Sequence, residues 1–263
     1  MAEIENLAHG PFAPEQISVL WKTDVKRLAR HTQDYIDTRW AVYVAEAKAK
    51  GHELFNGPIT QFVNYASAGG VLTLQLGSTD YKTFLVTSVR DRPWFTKFAP
   101  HAMATALGNS VLLTFGDQAI LGLRAASSGA YPEKAHLFGG VLERLDEAPG
   151  GTTTVGMLGH LKKELAEELK LEERDLVGPP KALALLKDTF LGQPELVWQQ
   201  EISIPPEHLD AQLNLAEHSA IVVVNRGQQI ETTQGYTPVA VSAVRRWMNP
   251  GGGGGGGGKK HRR

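Results

Sequence analysis

Three glutamates lie close together in a segment with helical periodicity. Glu164, Glu167 and Glu168 are spaced at i, i+3 and i+4, so the second and third lie within about 60° of the first around a helix. Carboxylates this close repel one another, and a bound Mg²⁺ or Mn²⁺ ion would relieve the repulsion because both ions prefer oxygen ligands. The alternative is a solvated helix face on which Lys163 and Lys170 neutralise the glutamates. The spacing alone allows both interpretations.

A pair of glycines upstream favours the metal interpretation. Gly139 and Gly140 follow Phe138, and a backbone without side chains can approach a metal ion or a phosphate closely. The alternative for such a pair is a bulge in a strand. In combination with the acidic helix, the pair indicates a site that could hold both a metal ion and a phosphate group.

The two features together resemble a known motif. A Gly-Gly-x-x-Glu run ending at Glu143, a loop and the helical segment 163–169 resemble the Nudix box, whose pattern is G-x5-E-x7-R-E-U-x-E-E-x-G-U, with U a bulky aliphatic residue. The three helix glutamates occupy the glutamate positions of that pattern, and Leu165 and Leu171 occupy its aliphatic positions. The resemblance extends over about residues 107 to 247.

The sequence departs from this pattern at three places. Lys163 replaces the arginine, and a lysine cannot reproduce the bidentate hydrogen bonding of a guanidinium group. Lys170 replaces the glycine that follows the helix. Gly140 lies 23 positions before Lys163, where the pattern as written has 14. The surplus residues fit a lengthened loop over residues 148–154, at a small entropic cost.

Within the Nudix proteins, the layout is most similar to the UDP-glucose pyrophosphatase type, which also carries an N-terminal extension and a lengthened box. Residues 76–85, Leu-Gly-Ser-Thr-Asp-Tyr-Lys-Thr-Phe-Leu, resemble a Leu-Gly-x-Thr-x-Tyr-x-x-Phe-Leu run in that extension. Because this run lies outside the box, it supports the subgroup independently.

The resemblance implies a magnesium-dependent hydrolase, with Mn²⁺ as an alternative ion. It would cleave the pyrophosphate of a nucleoside diphosphate sugar similar to UDP-glucose, giving a nucleoside monophosphate and a sugar 1-phosphate. Glu164, Glu167 and Glu168 would hold the ions, with the Gly139 carbonyl as a further ligand, and the ions would lower the pKa of a bound water. Two alternatives stay open: hydrolysis of another diphosphate, such as ADP-ribose, a dinucleotide or coenzyme A, and a catalytically silent Nudix fold that serves binding or assembly.

The general base is open among three glutamates outside the helix. Glu195 and Glu217 each precede a predicted strand, and Glu143 ends the Gly-Gly-x-x-Glu run. Each could fold back onto the site, where burial near the metal would tune its pKa. The alternative for each is a solvated loop residue. The histidines show no spacing typical of metal ligands.

Four residues are candidates for contacts with a substrate. Arg124 follows a predicted strand and could bind phosphate; the alternative is a surface cation at a strand end. Gly140 could let a phosphate approach the backbone. Tyr81 and Trp94 are candidates for contacts with the nucleobase, and core packing is the alternative for Tyr81.

These groups require an α/β fold to position them. We expect a Nudix-type α/β/α sandwich with a mixed sheet over residues 106–248, preceded by a smaller α+β substrate-contacting domain over residues 1–105. Helices are predicted over residues 17–28, 37–50, 157–171 and 239–247, and strands over 71–76, 111–115, 119–123, 196–204 and 220–224. Residues 79–86 fit either a short helix or a strand, and residues 90–94 are predicted to form a loop.

The composition excludes several classes of protein. The 263 residues include no cysteine, which rules out disulfides, thiolate metal sites and thiol nucleophiles. The formal net charge is -1, and without the four cations of the last five residues 23 basic residues face 28 acidic ones, which argues against a broad nucleic-acid-binding face. Eight glycines followed by a basic end predict a disordered tail over residues 249–263 that could attract nucleic acid weakly. We recognise no signal peptide or membrane span, and we expect a cytoplasmic protein.

Overall fold

The computed structural model describes residues 3–23, 28–126, 128, 130–147 and 151–250. Within these residues the strands are β1 (Ile4–Phe12), β2 (Ile17–Lys22), β3 (Pro58–Ala68), β4 (Val71–Asp80), β5 (Gly108–Phe115), β6 (Gln118–Arg124), β7 (Ala135–His136), β8 (Phe138–Val141), β9 (Leu176–Asp188), β10 (Gln193–Ile202) and β11 (His218–Asn225). The α-helices are α1 (Arg30–Ala49), α2 (Tyr81–Phe84), α3 (Arg92–Phe98), α4 (Thr154–Leu169) and α5 (Pro238–Met248). The predicted tail from residue 251 onward and positions 148–150 of the predicted loop lie outside the described residues.

A mixed sheet forms the centre of the molecule. Its strands follow the order β1-β9-β10-β5-β6-β11, with β7 paired to β6 and β8 paired to β5. The β10–β5 pair is parallel, and the other pairs are antiparallel. β5 and β6 form the predicted hairpin, which turns at Gly116 with a φ of 54°.

Helices cover both faces of this sheet. Leu161 and Leu165 of α4 are buried in one hydrophobic cluster together with Trp198 of β10. Val244 of α5 is buried in another cluster together with Val197, the preceding residue of β10. Because successive side chains of a strand point to opposite faces, the two helices lie on opposite sides of the sheet, which confirms the predicted α/β/α sandwich. None of the described helices is long and apolar enough to cross a membrane.

The N-terminal part of the chain adds a smaller, three-stranded sheet in the order β2-β4-β3. Leu72, Leu74 and Leu76 of β4 are fully buried and belong to the same hydrophobic cluster as α4. Helices α1 and α3 of this region pack around a separate cluster that includes Ile36 and Phe95.

The first strand of the chain belongs to the large sheet. β1 pairs with β9, whereas the predicted N-terminal domain includes residues 1–105. An isolated bridge between Ile59 and Glu143 also joins β3 to the segment after β8. The division of the chain at residue 105 stays a prediction.

The structure differs from the sequence prediction in three short segments. The predicted helix over residues 17–28 is wrong where the structure describes it, because Ile17–Lys22 pair with β4 as a parallel strand; residues 24–27 lie outside the described part. The predicted loop over residues 90–94 is correct only at Asp91: Arg90 ends a π-helix over Leu85–Arg90. α3 begins at Arg92 with a proline in its first turn, a position that needs no N–H. Residues 79–86 combine both alternatives: β4 ends at Asp80, whose side chain accepts a hydrogen bond from the Thr83 N–H at 2.8 Å and so caps α2.

Candidate functional site

The site lies where α4 passes the strand that carries the paired glycines. Gly139 of β8 pairs with Ser110 of β5 and has a φ of 102°, a conformation that favours glycine. Its N–H donates to the two carboxylate oxygens of Glu168 at 3.1 and 3.3 Å. A Cβ atom at Gly139 would lie 2.5 Å from the carbonyl oxygen of Asn109. A glycine here therefore allows β8 to pack closely against β5 while its N–H faces the helix glutamate.

Glu164 lies one helical turn before Glu168 and faces the second glycine. A Cβ atom built on Gly140 would lie 3.8 Å from Glu164 Oε2. Burial, followed by the negative charges of Glu168 and of two further glutamates, raises the pKa of Glu164 to about 7. A carboxylate that is destabilised by burial and by like charges gains from a nearby cation.

Glu167 occupies the outer edge of the same helix face. It is exposed, and its charge contributes to the raised pKa values of both Glu164 and Lys163. The structure therefore brings two of the three helix glutamates, Glu164 and Glu168, against the glycine pair and places the third at the rim.

The loop before β11 brings a further carboxylate and a histidine to Glu168. The N–H of Asn214 donates to the backbone carbonyl of Glu168 at 2.8 Å, and the N–H groups of Glu217 and His218 donate to the Asn214 carbonyl at 3.1 and 3.0 Å. As a result, one potential ligand atom from each of Glu168, Glu217 and His218 lies within 4.8 Å of the others. Glu217 is exposed at the surface, but the protein atoms around its carboxyl, with the charge of Glu168, raise its pKa. This cluster could hold a metal ion.

His218 is one of two histidines in the site that the sequence pattern does not indicate. Its Nε2 lies 3.4 Å from Glu168 Oε2, and both ring nitrogens are buried without a hydrogen-bond partner. The ring packs against Phe138, with ring centroids 5.1 Å apart, and over Gly122, where a side chain would collide with it. Local spacing gives no signal because 50 positions separate His218 from Glu168. Only its place beside Glu217, at the start of a predicted strand, points to the site.

Arg124 connects this group to a second buried carboxyl. It ends β6 and pairs in register with His218 of β11. Burial lowers the pKa of Arg124, and the charges of three glutamates, Glu195 first among them, oppose that shift. Its Nε is buried without a hydrogen-bond partner. A buried guanidinium with an unused donor is suited to binding a phosphate oxygen.

Glu195 lies near the start of β10 and is 8% exposed. Burial raises the pKa of its carboxyl to about 7, although Ser110 and Arg124 act in the opposite direction. His136 lies beside it: Nε2 is 3.6 Å from Glu195 Oε1, and Nδ1 is 2.7 Å from Thr237 Oγ1. Burial lowers the pKa of His136 to about 3, so this ring is neutral at pH 7. A carboxyl group with a pKa near 7 can exchange a proton at neutral pH.

Lys163, which stands at the arginine position of the box pattern, forms an ion pair with Glu143 at 2.7 Å. Both side chains are about half exposed, at 46% and 55%, so the pair contributes little to stability. The ion pair does engage the carboxylate of Glu143, one of the three candidate bases. Glu195 and Glu217, in contrast, have raised carboxyl pKa values and lie beside the buried groups.

Lys170, which stands at the glycine position after the helix, ends α4 in a left-handed conformation with a φ of 55°. Its N–H donates to the Ala166 carbonyl at 3.1 Å. Glycine adopts this conformation at lower cost than lysine. Lys170 therefore adopts the left-handed backbone conformation that suits the glycine found at this position of the Nudix pattern.

The two predicted nucleobase contacts lie in the N-terminal region. Tyr81 packs edge-on against Trp40, with ring centroids 6.3 Å apart, in a small apolar cluster that includes Val141, the neighbour of Gly140. Trp94 is 38% exposed and stacks on Tyr35, with ring centroids 4.6 Å apart. Both rings therefore have packing contacts within the protein, and their contact with a nucleobase stays a prediction.

Comparisons with known proteins identify distant structural neighbours. The sequence matches none of the protein-family models and none of the curated proteins with which it was compared. DR0079 from Deinococcus radiodurans is 18% identical, with a TM-score of 0.40, and the alignment covers 54% of this chain and 82% of that one. Tm1382, a proposed Nudix hydrolase, is 13% identical, with a TM-score of 0.34 and coverage of 79% and 96%. At identities and TM-scores this low, neither similarity assigns the chain to a family.

Proposed function

We propose that this protein is a divalent-cation-dependent hydrolase of the Nudix type that cleaves the pyrophosphate of a nucleoside diphosphate sugar, such as UDP-glucose. The products would be a nucleoside monophosphate and a sugar 1-phosphate. The observation that carries the proposal is the contact of Glu168 with Gly139, beside Glu164 and Gly140. This contact joins the two halves of the box-like sequence motif in one polar site.

The residues of this site fit a divalent cation. Glu164 has a pKa raised to about 7 by burial and by like charges, and carboxylate and carbonyl oxygens suit Mg²⁺ or Mn²⁺. Glu164 and Glu168 would be the principal ligands, together with the Gly139 carbonyl, and Glu167 at the rim would serve a further ion. When bound, the ion would screen the charge of the diphosphate and lower the pKa of a water molecule.

The chain's own residues would bind and orient the substrate. Arg124 would donate hydrogen bonds to phosphate oxygens, and its burial strengthens such bonds because less water competes for them. Gly140 leaves space beside the backbone for a phosphate group. Tyr81 and Trp94 would contact the nucleobase from the N-terminal region, which is joined to the site through the cluster containing Val141.

Hydrolysis also requires a base. The oxygen of a water molecule forms a bond to one phosphorus, the bridging P–O bond breaks with its electrons going to the departing phosphate, and a base takes the proton of the water. Glu217 and Glu195 are both candidates, since a raised pKa suits proton transfer near neutral pH. Glu217 adjoins Glu168, whereas Glu195 adjoins Arg124 and His136.

A substrate panel tests the proposal. Purified protein is incubated with Mg²⁺ or Mn²⁺ and UDP-sugars, ADP-ribose, dinucleotides or coenzyme A, and release of monophosphates is followed. We expect the highest kcat/KM for a nucleoside diphosphate sugar. A higher value for another diphosphate would replace the substrate class, and the absence of hydrolysis of every member would overturn the proposed activity.

Two single substitutions separate the candidate bases. Glu217→Gln and Glu195→Gln are compared with Glu201→Gln, an exposed glutamate on β10. General-base catalysis contributes about 10²–10⁴-fold, so the variant that lacks the base should lose activity on that scale and lose the acid limb of the pH profile. Full activity of both variants would exclude both residues as the base.

A further inference from the structure

We infer that His218 is a direct nitrogen ligand of the cation and that, with Glu168 and Glu217, it forms a site that prefers a first-row transition-metal ion, such as Mn²⁺ or Co²⁺, over Mg²⁺. The inference rests on the proposed function for the presence of a cation. It goes beyond that function in adding Glu217 and His218 to the ligands of the ion held by Glu168 and in naming the ion preference, and it leaves Glu195 as the candidate base.

The first observation is the isolation of the His218 ring. The side chain is 4% exposed, and neither ring nitrogen has a hydrogen-bond partner. Its Nε2 is directed toward Glu168 Oε2 at 3.4 Å without meeting the geometry of a hydrogen bond. A buried polar nitrogen without a partner lowers stability, and a bound ion would provide the missing partner.

The second observation is the convergence of three ligand atoms from two elements. Atoms of Glu168 on α4, of Glu217 just before β11 and of His218 at the start of β11 lie within 4.8 Å of one another. Three atoms within 4.8 Å of one another lie at most about 2.8 Å from a common centre. Ligands bind an ion at about 2.0–2.2 Å, so shifts of about half an ångström would place all three around one ion. The hydrogen bonds of Asn214 hold the two elements together at this point.

The donor set decides the ion preference. Magnesium ions prefer oxygen ligands, whereas the affinity of an imidazole nitrogen for divalent ions increases from Mn²⁺ through Fe²⁺ to Co²⁺. Two carboxylate oxygens and one nitrogen therefore favour a transition-metal ion over Mg²⁺.

His160 provides a matched control. It is also buried on α4, and its Nε2 lies 3.4 Å from Glu164 Oε1. Among the described residues, however, the grouping of three ligand atoms includes His218 and leaves His160 out. His160→Gln should therefore leave metal ligation unchanged, and His218→Gln should change it.

The direct test is pulsed electron paramagnetic resonance of the full chain with one equivalent of Mn²⁺. We expect a nitrogen coupling in the wild type that changes when the protein is labelled with ¹⁵N-histidine. The coupling should persist in His160→Gln and in His261→Gln, which removes the histidine of the tail, and disappear in His218→Gln. A wild-type spectrum without nitrogen coupling, or a coupling that persists in His218→Gln, would overturn the assignment. If His218→Gln does not fold, a wild-type spectrum without nitrogen coupling would still overturn the assignment.

Calorimetric titration tests the ion preference. Co²⁺ should bind the wild type at least about tenfold more tightly than Mg²⁺, and His218→Gln should weaken Co²⁺ binding by at least about tenfold while changing Mg²⁺ binding by less than about threefold. Equal affinities for the two ions in the wild type would contradict the preference. Nitrogen coupling without hydrolysis of any diphosphate would overturn the proposed function and support the ligand assignment, whereas hydrolysis without nitrogen coupling would overturn the ligand assignment alone.

Discussion

Helices α4 and α5 cover opposite faces of the same sheet, but they differ in the side chains that they bury. The buried face of α5 is apolar and includes Val244 and Trp247. α4 also buries leucines, yet it adds Glu168 and His160 to its buried residues. Burial of a charge or of an unpaired polar group lowers stability, and packing alone does not require such groups. The proposed function, rather than packing, accounts for these polar groups on α4.

The largest expected loss of stability lies on α5. Trp247 is 5% exposed in the cluster that α5 forms with the sheet. Trp247→Ala should lower the free energy of unfolding by about 3–5 kcal/mol because it leaves a cavity, as measured by urea denaturation. Trp94→Ala, at a ring that is 38% exposed, is the control and should cost clearly less. Equal losses would mean that α5 is not the packing helix.

On α4, removal of a charge should raise the free energy of unfolding instead of lowering it. Without added metal at pH 8, Glu164→Gln should raise the free energy of unfolding by about 1–3 kcal/mol, because it relieves the burial and repulsion that raise the pKa of Glu164. Glu207→Gln, at an exposed glutamate, should leave stability unchanged. If Glu164→Gln destabilises the metal-free protein, the carboxylate serves packing after all.

The same pKa shift predicts a pH dependence. The ordinary pKa of a glutamate carboxyl is 4.5, and that of Glu164 in the folded protein is about 7, so between these pH values the folded state binds more protons than the unfolded state. The stability contributed by Glu164 therefore falls as pH rises through this range. His136 and His160, whose pKa values are lowered by burial, act in the opposite direction below pH 6.5. Thermal denaturation from pH 4.5 to 8 should show a smaller decline for Glu164→Gln than for the wild type, and parallel curves would contradict the shift.

The smallest predicted effect concerns the end of α4. Lys170→Gly should stabilise the protein by about 0.5–1 kcal/mol, because glycine adopts the left-handed conformation of this residue without steric cost. Ala166→Gly, at an exposed position inside the same helix, is the matched control and should destabilise by a similar amount. Two changes of the same sign would show that the left-handed end of α4 is not strained.

Local sequence patterns predict the helices and strands in which apolar residues recur at regular spacing. The leucine stripe predicted α4, and the turn at Gly116 predicted the β5–β6 hairpin. The apolar residues of Ile17–Lys22 also fit helical spacing, so the sequence predicts a helix there, and only pairing with β4 decides for a strand. The sequence does not predict β9 because Pro179 and Pro180 interrupt it, although its pairing with β10 continues on both sides of them.

The residues of the candidate site also fall into two groups, those that local spacing predicts and those that only the fold brings in. Glu164, Glu168 and Gly139 belong to one sequence motif, and local spacing is sufficient to group them. His218 and His136 reach the site only through contacts between residues far apart in the chain. Such contacts depend on strand order and on the loop around Asn214, which a single sequence does not specify.

Phosphorus NMR of the hydrolysis of UDP-glucose tests the central claim most directly, with wild type, Glu168→Gln and Glu207→Gln compared in Mg²⁺ and in Mn²⁺. The account predicts that wild type and Glu207→Gln convert the diphosphate resonances into two monoester resonances, and that Glu168→Gln lowers kcat by about 10²–10³-fold, the loss expected when several kcal/mol of transition-state stabilisation are removed. Equal rates for Glu168→Gln and Glu207→Gln, or no monoester from the wild type, would contradict it.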